Sequence, residues 1–228
     1  MADRNSPRFP LHLLDGLEGV NKLTPGGYSR VLFFENDPAD RLFVVESGLV
    51  RLLKRTKTGR RAVLSLICPG QLFGESALLP GAAHDCSAEV VGNVVVHSIP
   101  AEAFRRLCQA NPEISARLAE LLALRVRKLH RRIELFAFHS VRGRVIHSLV
   151  ELSEIFAAGE SADGSVSIPL AQSDLAHLVL ATRETTSVEL NALARHGLIR
   201  LGRCKMLVSD PGNLRAAAES RLAKAAAG

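Results

Sequence analysis

The fold can be worked out from one stretch, Thr182-Arg-Glu-Thr-Thr-Ser-Val-Glu-Leu-Asn-Ala-Leu-Ala-Arg-His-Gly197. Threonine is favoured at a helix N-cap, because its hydroxyl accepts a hydrogen bond from an amide that the first turn leaves free. Gly197 stands where a helix commonly ends in the left-handed conformation. Between these ends, residues suited to packing inward recur at helical spacing, namely Thr186, Leu190 and Leu193. The stretch is therefore predicted to be one helix with an inner and an outer stripe.

A shorter helix is predicted just before this one. Residues 172–179 offer Leu175, Ala176 and Leu178 as an apolar face, and Leu180-Ala181 is left for a tight turn. Two short helices across such a turn form a helix-turn-helix, which places the first residues of the second helix in a DNA major groove. This part of the chain is therefore predicted to bind DNA.

The outer stripe of the second helix carries side chains that suit base reading. Arg183 can donate twice to the O6 and N7 atoms of guanine, and Glu184 can accept from the N4 amine of cytosine. Val188 can touch a thymine methyl group. The same charges also fit an ordinary solvated helix surface, so that interpretation stays open at this point.

The stretch resembles the recognition helix of the CRP/FNR family of bacterial transcription factors, whose pattern runs roughly Ser-Arg-Glu-Thr-Val-Ser-Arg. There are two departures: Val188 replaces the last arginine, and Leu180 replaces a glycine common in the turn. Leu180 would be strained if a left-handed conformation is needed there. The resemblance implies DNA contacts from the helix and from a following wing, by Thr182, Arg183, Glu184, Thr185, Ser187, Val188 and Arg203.

Composition is typical of a globular protein. The chain has 228 residues and is 47% hydrophobic, which leaves room for one or two domains with a sizeable core. Its apolar runs are shorter than a membrane span, and its first residues lack the apolar core of a signal peptide. The chain is therefore predicted to be cytoplasmic and not to bind membranes.

Charge is consistent with a polyanionic partner. The net charge is +6, and the predicted DNA-reading region concentrates basic residues. Those residues are Arg183, Arg195, Arg200, Arg203 and Lys205. They stand against only Glu184 and Glu189, and such a patch is what phosphate contacts require.

Cysteine spacing and catalytic motifs argue against several functional classes. Cys68, Cys86, Cys108 and Cys204 share no Cys-x-x-Cys spacing, so neither a zinc site nor a disulfide framework is predicted. The iron-sulfur branch of the family clusters cysteines near its N-terminus, and this chain has none before Cys68. Walker A, His-Glu-x-x-His and Gly-x-Ser-x-Gly patterns are missing, so the chain is not predicted to be an enzyme.

The N-terminal half is predicted to be a small β-barrel or roll. It alternates β-rich runs, such as residues 41–53 and 62–67, with turn residues. The predicted turns are Asn36-Asp-Pro38, Ser47-Gly48, Thr58-Gly59 and Pro69-Gly70. Together with the C-terminal helices, this gives an α+β fold class.

This half resembles the cyclic-nucleotide-binding β-roll. The resemblance is carried by Asp37-Pro-Ala-Asp40, Val45-Glu-Ser-Gly48, Pro69-Gly70 and Phe73-Gly-Glu-Ser-Ala-Leu-Leu79. With the C-terminal part it extends from about Gly26 to Asp210. It implies a sensor roll over 1–110, a dimerisation helix and hinge over 111–139, and a winged helix-turn-helix over 140–228.

A long helix is predicted from Asn111-Pro112 to about Phe138. Apolar residues repeat every seven positions in two series that form an a/d seam. The seam consists of Ala119, Leu122, Val126, Leu129, Ile133 and Phe136. Dimerisation is favoured, because a helix-turn-helix that reads two half-sites needs a two-fold partner. The alternative is burial of the seam against the chain's own roll.

Four arginines lie beside the seam and are predicted to form a solvated face: Arg125, Arg127, Arg131 and Arg132. Ser140 can cap the next helix, which is predicted to end at Gly159. Its inner stripe consists of Val145, Leu149, Leu152 and Phe156. Beyond a polar loop over 159–165 and the helix-turn-helix, Leu198 to Val208 is predicted to form two strands about a Gly202-Arg203 turn, a wing with a basic tip.

The family's ligand cassette uses Gly-Glu and then Arg-Ser to hold a cyclic phosphate. Here Gly74-Glu75, followed by Ser76, keeps the first half, but the second half is Cys86-Ser87 and lacks the arginine. The phosphate would lose a charge-assisted, bidentate contact. By position in the family, the long helix adds Arg125, Leu129 and His130, and Leu129 cannot hydrogen-bond a purine. The pocket is therefore predicted to bind an effector other than cyclic AMP, or none.

Other interpretations remain. A related branch of the family binds haem through His and Cys. His84 and Cys86 could be compared with those ligands, but the simpler interpretation is a pair of surface loop residues. A redox role for Cys86 is a further possibility, and a cyclic-nucleotide-binding module acting on a protein partner is another. No cofactor or metal is expected. The expected partners are double-stranded DNA, RNA polymerase and a second copy of the chain.

Overall fold

The computed structural model describes residues 8–25, 30–157 and 164–225, without the side chains of 219–225. The chain divides into two compact units, one spanning residues 6–125 and the other formed mainly by residues 126–228. The first is rich in strands and the second in helices, which confirms the α+β class. Among the described helices, none combines the length and apolar character needed to cross a membrane.

The first unit is built on one antiparallel sheet. Its strands are β1 (Asn21–Leu23), β2 (Val31–Phe33), β3 (Arg41–Arg55), β4 (Arg61–Ile67), β5 (Leu72–Phe73) and β6 (Ser87–Pro100). The order is β1-β6-β3-β4, while β2 also pairs with β6 and β5 with β3. The two long strands β3 and β6 carry most of the pairing, as expected for the predicted roll.

The predicted turn at Ser47-Gly48 is wrong, because both residues lie inside β3. The register against β6 shifts on either side of Ser47, so the pair forms a β-bulge. Gly48 has a φ of +86°, and a Cβ there would lie 2.3 Å from the carbonyl oxygen of Asn93. Only glycine fits this close approach, so the strand bends at a point where the sequence suggests a reversal.

Two apolar clusters hold the first unit together. One contains three phenylalanines, Phe33, Phe43 and Phe73, whose ring centroids lie 5.2–6.2 Å apart. The other packs Leu42, Val44 and Ile99 of the sheet against a helix that was not predicted, α1 (Ala101–Ala110). Burial of these side chains supplies the main driving force for folding of the unit.

The long helix α2 spans Pro112–Phe138, as predicted. Ile114 and Leu121 are its buried residues and lie outside the predicted seam. Within the seam, Leu122 packs partly against the roll. At this residue, the alternative prediction of burial against the chain's own roll is therefore correct. The centre of the seam stays open, because Val126, Leu129 and Ile133 are 49%, 55% and 65% exposed.

In its described residues, the second unit contains four more helices and a small sheet. They are α3 (Val141–Phe156), β7 (Val166–Ile168), α4 (Gln172–Leu178), α5 (Arg183–Arg195), β8 (Ile199–Gly202), β9 (Lys205–Val208) and α6 (Pro211–Ala225). Ser140 caps α3 as predicted, and its Oγ accepts from the amide of Gly143 at 3.4 Å. The inner stripe of α3 is buried except for Phe156, which is half-buried. The predicted end at Gly159 lies outside the described residues.

The two strands predicted between Leu198 and Val208 are confirmed as β8 and β9, and a third strand that was not predicted, β7, joins their sheet. β7 pairs with β9 and β9 with β8, giving the order β7-β9-β8. The predicted Gly202-Arg203 turn is displaced by one residue, because Gly202 pairs with Lys205. Arg203 and Cys204 therefore form the tip, and Cys204 takes the left-handed conformation with a φ of +54°.

Candidate nucleic-acid interface

The turn between α4 and α5 is stabilised by backbone hydrogen bonds. The amide of Val179 donates to the carbonyl of Leu175 at 2.9 Å, and that of Ala181 donates to Ala176 at 3.0 Å. Between them Leu180 has a φ of +50°, so a left-handed residue is needed where the chain has a leucine. Such a backbone costs roughly 1–2 kcal/mol for a residue with a Cβ. Leu180 therefore has the backbone strain that was expected if this position is left-handed.

The N-terminus of α5 is capped as predicted. Thr182 is extended, and its Oγ1 accepts from the amide of Thr185 at 3.1 Å. The inner stripe of the helix is fully buried, comprising Thr186, Leu190 and Leu193. Gly197 follows with a φ of +71°. Because the inner stripe is fixed in the core, the opposite stripe must face outward.

The outer stripe is open at the start of α5. Arg183 and Glu184 are exposed, and Val188 is 63% exposed. Ser187 is half-buried, and Asn191 donates to its carbonyl at 2.9 Å and to its hydroxyl at 3.3 Å. Asn191 was not among the predicted residues, although it lies one helical turn after Ser187 on the same face. The Ser187 hydroxyl is therefore already engaged within the helix.

Glu184 is prepared to act as a hydrogen-bond acceptor. Hydrogen bonds from its own backbone amide and from the hydroxyl of Thr182 lower the pKa of this carboxyl below its usual value. The side chain is thus ionised at neutral pH, and an ionised carboxylate only accepts. That is the property required for contact with the N4 amine of cytosine.

Basic side chains are also exposed at the end of α5 and on the wing. Arg195 at the end of α5 and Arg200, Arg203 and Lys205 on the wing are exposed. Exposed arginine and lysine side chains on a wing and beside a recognition helix suit contacts to phosphate oxygens. The basic patch predicted from the sequence is thus on the surface of this unit.

Arg132 contradicts the prediction of a solvated arginine face. Its Nη2 donates to the carbonyl oxygen of Leu178 at 3.0 Å, and its guanidinium lies over the ring of Phe136 at 5.5 Å. Arg144 lies over the same ring at 5.5 Å. Burial lowers the pKa of Arg132, an effect that Glu151 partly offsets. Phe136, predicted as a seam residue, thus has partners within its own chain.

Arg125 contradicts that prediction as well. Its Nη1 lies 2.5 Å from the Oε1 of Glu75, and it also donates to the carbonyl oxygen of Leu72. Gly74, just before, has a φ of +81°, and a Cβ there would lie 3.1 Å from the carbonyl oxygen of Arg41. The structure therefore brings together two of the predicted pocket residues, Glu75 and Arg125, and the carboxylate is paired with an arginine of the same chain.

The second half of the cassette is buried. The Ser87 Oγ accepts from the amide of Glu35 at 2.9 Å, and Cys86 is 6% exposed. Burial, followed by the charge of Asp85, raises the pKa of the Cys86 thiol to about 12. A neutral buried thiol is a poor nucleophile and a poor metal ligand, which argues against a redox role for Cys86.

The interpretation of His84 and Cys86 as surface loop residues is wrong, since His84 is only 4% exposed. Its ring stacks on Phe33 with centroids 3.6 Å apart, and burial lowers the pKa of the imidazole. The other two predicted pocket residues, Leu129 and His130, belong to the second unit, where both are exposed. In the described part of the chain, no three His, Cys, Asp or Glu side chains are grouped to hold a metal ion.

Comparison with known proteins agrees with both units. Residues 28–111 match the family model of the cyclic nucleotide-binding domain, and residues 143–217 match that of the Crp-like helix-turn-helix domain. The second match contains the capped helix α5 and the wing. The first contains the Gly74-Glu75 and Cys86-Ser87 segments.

Some relatives are similar over most of the chain and so include both matched domains. A CRP-like cAMP-activated global transcriptional regulator of Mycobacterium tuberculosis is 33% identical over 197 residues, covering 86% of this chain and 88% of the relative. The transcriptional regulator SdrP of Thermus thermophilus is 35% identical, over 81% of this chain and 87% of its own. A crystal structure of a CRP/FNR-family regulator from Thermus thermophilus superimposes with a TM-score of 0.72 at 31% identity, covering 89% of this chain and 99% of that one.

Proposed function

The chain belongs to the CRP/FNR family of DNA-binding transcription regulators, and on that premise we propose that it binds a palindromic operator as a homodimer. The observation that carries the proposal is the capped start of α5, where Arg183 and Glu184 are exposed, in a unit whose wing also exposes basic side chains. In this arrangement Arg183 takes a guanine and Glu184 a cytosine, while Arg203 contacts phosphate. The family resemblance implies a T-G-A core in each half-site.

The exposed seam of α2 supports the homodimer. Val126, Leu129 and Ile133 follow a heptad spacing and are 49–65% exposed in the single chain. An apolar stripe of this kind is stabilised by a parallel partner helix that presents the same residues. A two-fold dimer then presents two α5 helices to half-sites one helical turn apart.

The sensor roll is proposed to respond to an effector other than cyclic AMP, or to none. Cys86 replaces the phosphate-binding arginine, and its thiol is neutral and buried. Glu75 is paired with Arg125, and the Ser87 hydroxyl with a backbone amide. A cyclic nucleotide would therefore have to compete with these bonds, and its phosphate would find no arginine at position 86.

The remaining partners follow from the family. A bacterial regulator on DNA acts in the cytoplasm and changes the recruitment of RNA polymerase. We therefore propose a cytoplasmic location for this chain and RNA polymerase as a partner. A haem-sensing regulator of the same fold is a weaker candidate, because His84 is buried in a stack on Phe33. A module that regulates only a protein partner would not need the exposed Arg183 and Glu184.

A binding selection from random-sequence duplex DNA tests the proposal. The full-length chain should recover a two-fold inverted repeat with half-sites one helical turn apart, and should sediment as a dimer at the protein concentration used. Recovery of no motif, or of a motif without two-fold symmetry, would contradict the proposed operator. A monomer that recovers the same motif would contradict the homodimer alone.

A further inference from the structure

Arg132 connects the C-terminal part of α2 to the turn that precedes the recognition helix. Its guanidinium donates to the carbonyl oxygen of Leu178, the last residue of α4. The last carbonyls of a helix lack partners within the helix, and they carry the negative end of its dipole. A positively charged donor is therefore well placed at Leu178.

The bond lies close in sequence to the base-reading residues. Leu178 is followed by Val179, by left-handed Leu180 and then by Thr182, the N-cap of α5. A shift at the Leu178 carbonyl is transmitted through these few residues to Arg183. The direction in which the start of α5 points thus depends on how the end of α4 is held.

The side chain of Arg132 is fixed on a second side by Phe136. The guanidinium lies 5.5 Å from the centre of this ring, and Arg144 of α3 lies at the same distance. Stacking on an aromatic ring suits the planar guanidinium and restricts its rotation. Three helices, α2, α3 and α4, therefore meet through the Arg132 side chain and its neighbours.

We propose that Arg132 is a positioning residue for DNA reading: its bond to the Leu178 carbonyl sets the α4–α5 turn and hence the placement of Arg183 and Glu184. It acts without contacting the bases itself. The inference rests on the proposed function for its effect on DNA, but the bond's effect on the turn can be measured without DNA.

Three variants of the full-length chain distinguish the effect of the hydrogen bond between Arg132 and the Leu178 carbonyl from that of the neighbouring contacts. Arg132→Met keeps an apolar side chain of similar length but removes the charged donor. Arg132→Lys keeps a charged donor and loses the planar group. Arg127→Met is the matched control, since Arg127 is an exposed arginine on the same helix. Thermal unfolding of all three shows whether each variant is folded before the other measurements are compared.

Hydrogen exchange in the DNA-free protein is the first measurement. It follows the amides of Val179 and Ala181, which donate to Leu175 and Ala176. Arg132→Met should accelerate their exchange by about tenfold, the loss expected for a hydrogen bond from a charged donor. Arg132→Lys should restore most of the protection, and Arg127→Met should match wild type.

Binding to the duplex selected by wild type is the second measurement. Arg132→Met should weaken binding to the matched duplex by about tenfold, and should recover the same sequence motif with lower stringency at every position of the half-site. Arg132→Lys should again approach wild type. This pattern differs from the base-specific loss expected of a residue that contacts DNA bases.

Two results would overturn the inference. One is wild-type exchange at Val179 and Ala181 in Arg132→Met. The other is an Arg132→Lys variant that is folded but as defective as Arg132→Met, since the hydrogen bond would then not carry the effect. If wild type recovers no DNA motif, the proposed function fails, and the exchange measurement still decides whether Arg132 holds the turn.

Discussion

The recognition helix and the sensor cassette both retain part of a family motif, but they use it differently. At the start of α5, Arg183 and Glu184 are exposed on a helix whose other stripe is fixed in the core. In the cassette, Glu75 is paired with Arg125, and the Ser87 hydroxyl accepts from the Glu35 amide. The side chains of the first motif are exposed at a helix start and bonded only to near neighbours, whereas those of the second are held by residues distant in sequence.

This difference shows that a retained motif has to be judged by the partners of its atoms. Gly74-Glu75 keeps the family letters and even the left-handed glycine, but its carboxylate already has an arginine. Arg183-Glu184 keeps its letters on a capped helix start, with the Glu184 carboxylate held ionised. The second motif therefore presents its side chains to solvent, whereas the first has its carboxylate paired with an arginine 50 residues further along the chain.

The largest effect should come from a change that leaves both motifs intact. Leu129→Glu places two carboxylates together in the proposed seam, so it should give monomers whose operator affinity falls by about 100-fold or more, the loss expected when two sites are no longer linked. Sedimentation and operator titration check this. Arg127→Glu, an exposed change beside the seam, is the control and should remain dimeric. An intact Leu129→Glu dimer would rule out this seam.

The next change supplies the sensor cassette with the charge that it lacks. Titration calorimetry of wild type should show no cyclic AMP binding at micromolar affinity or tighter. Cys86→Arg should bind cyclic AMP about 10- to 100-fold more tightly than wild type, because it adds a charge-assisted contact to the phosphate. Cys86→Met is the control for added bulk without charge. Micromolar binding by wild type would mean that the cassette is not committed to its own chain.

A smaller effect is expected at the turn before the recognition helix. Leu180→Gly should raise the free energy of unfolding by about 1 kcal/mol, since glycine adopts the left-handed conformation without a Cβ penalty but loses more entropy on folding. Denaturant unfolding measures the change. Leu180→Ala keeps a Cβ and should stabilise less. Equal stabilisation by both variants would show that the exposed leucine side chain, and not its backbone, is responsible.

The smallest effect should be at the wing tip. Arg203→Ala should weaken binding to all DNA sequences alike and reduce the salt dependence, lowering the slope of log K against log salt by about 1. Operator titrations at several salt concentrations measure it. A loss confined to one base pair, with an unchanged slope, would make Arg203 a base contact and not a phosphate contact.

Local patterns predicted the helices of the DNA-binding unit and their caps. The N-caps at Ser140 and Thr182, the bounds of α2 and the buried stripe of α5 depend on residues a few positions apart, so the sequence contains them. The left-handed Leu180 was expected for a different reason, namely the glycine that the family commonly has in this turn. These are features whose energy is decided within one or two helical turns.

Contacts between distant residues could not be predicted in this way. The bulge at Gly48 depends on the approach of Asn93, and β7 is defined by its pairing with β9. Arg125 and Arg132 look alike in sequence, but one binds Glu75 and the other the Leu178 carbonyl. A helical pattern shows that such arginines lie beside the seam, but their partners are set by tertiary packing.

The most direct test of base reading at α5 is a parallel selection from random-sequence DNA with wild type and Arg183→Ala. Wild type should recover an inverted repeat with a T-G-A core in each half-site. Arg183→Ala should lose its preference at the guanine, at a cost of about 1–3 kcal/mol per half-site, and keep the spacing of the repeat. Recovery of the same motif with equal stringency by both proteins would show that Arg183 does not read the DNA.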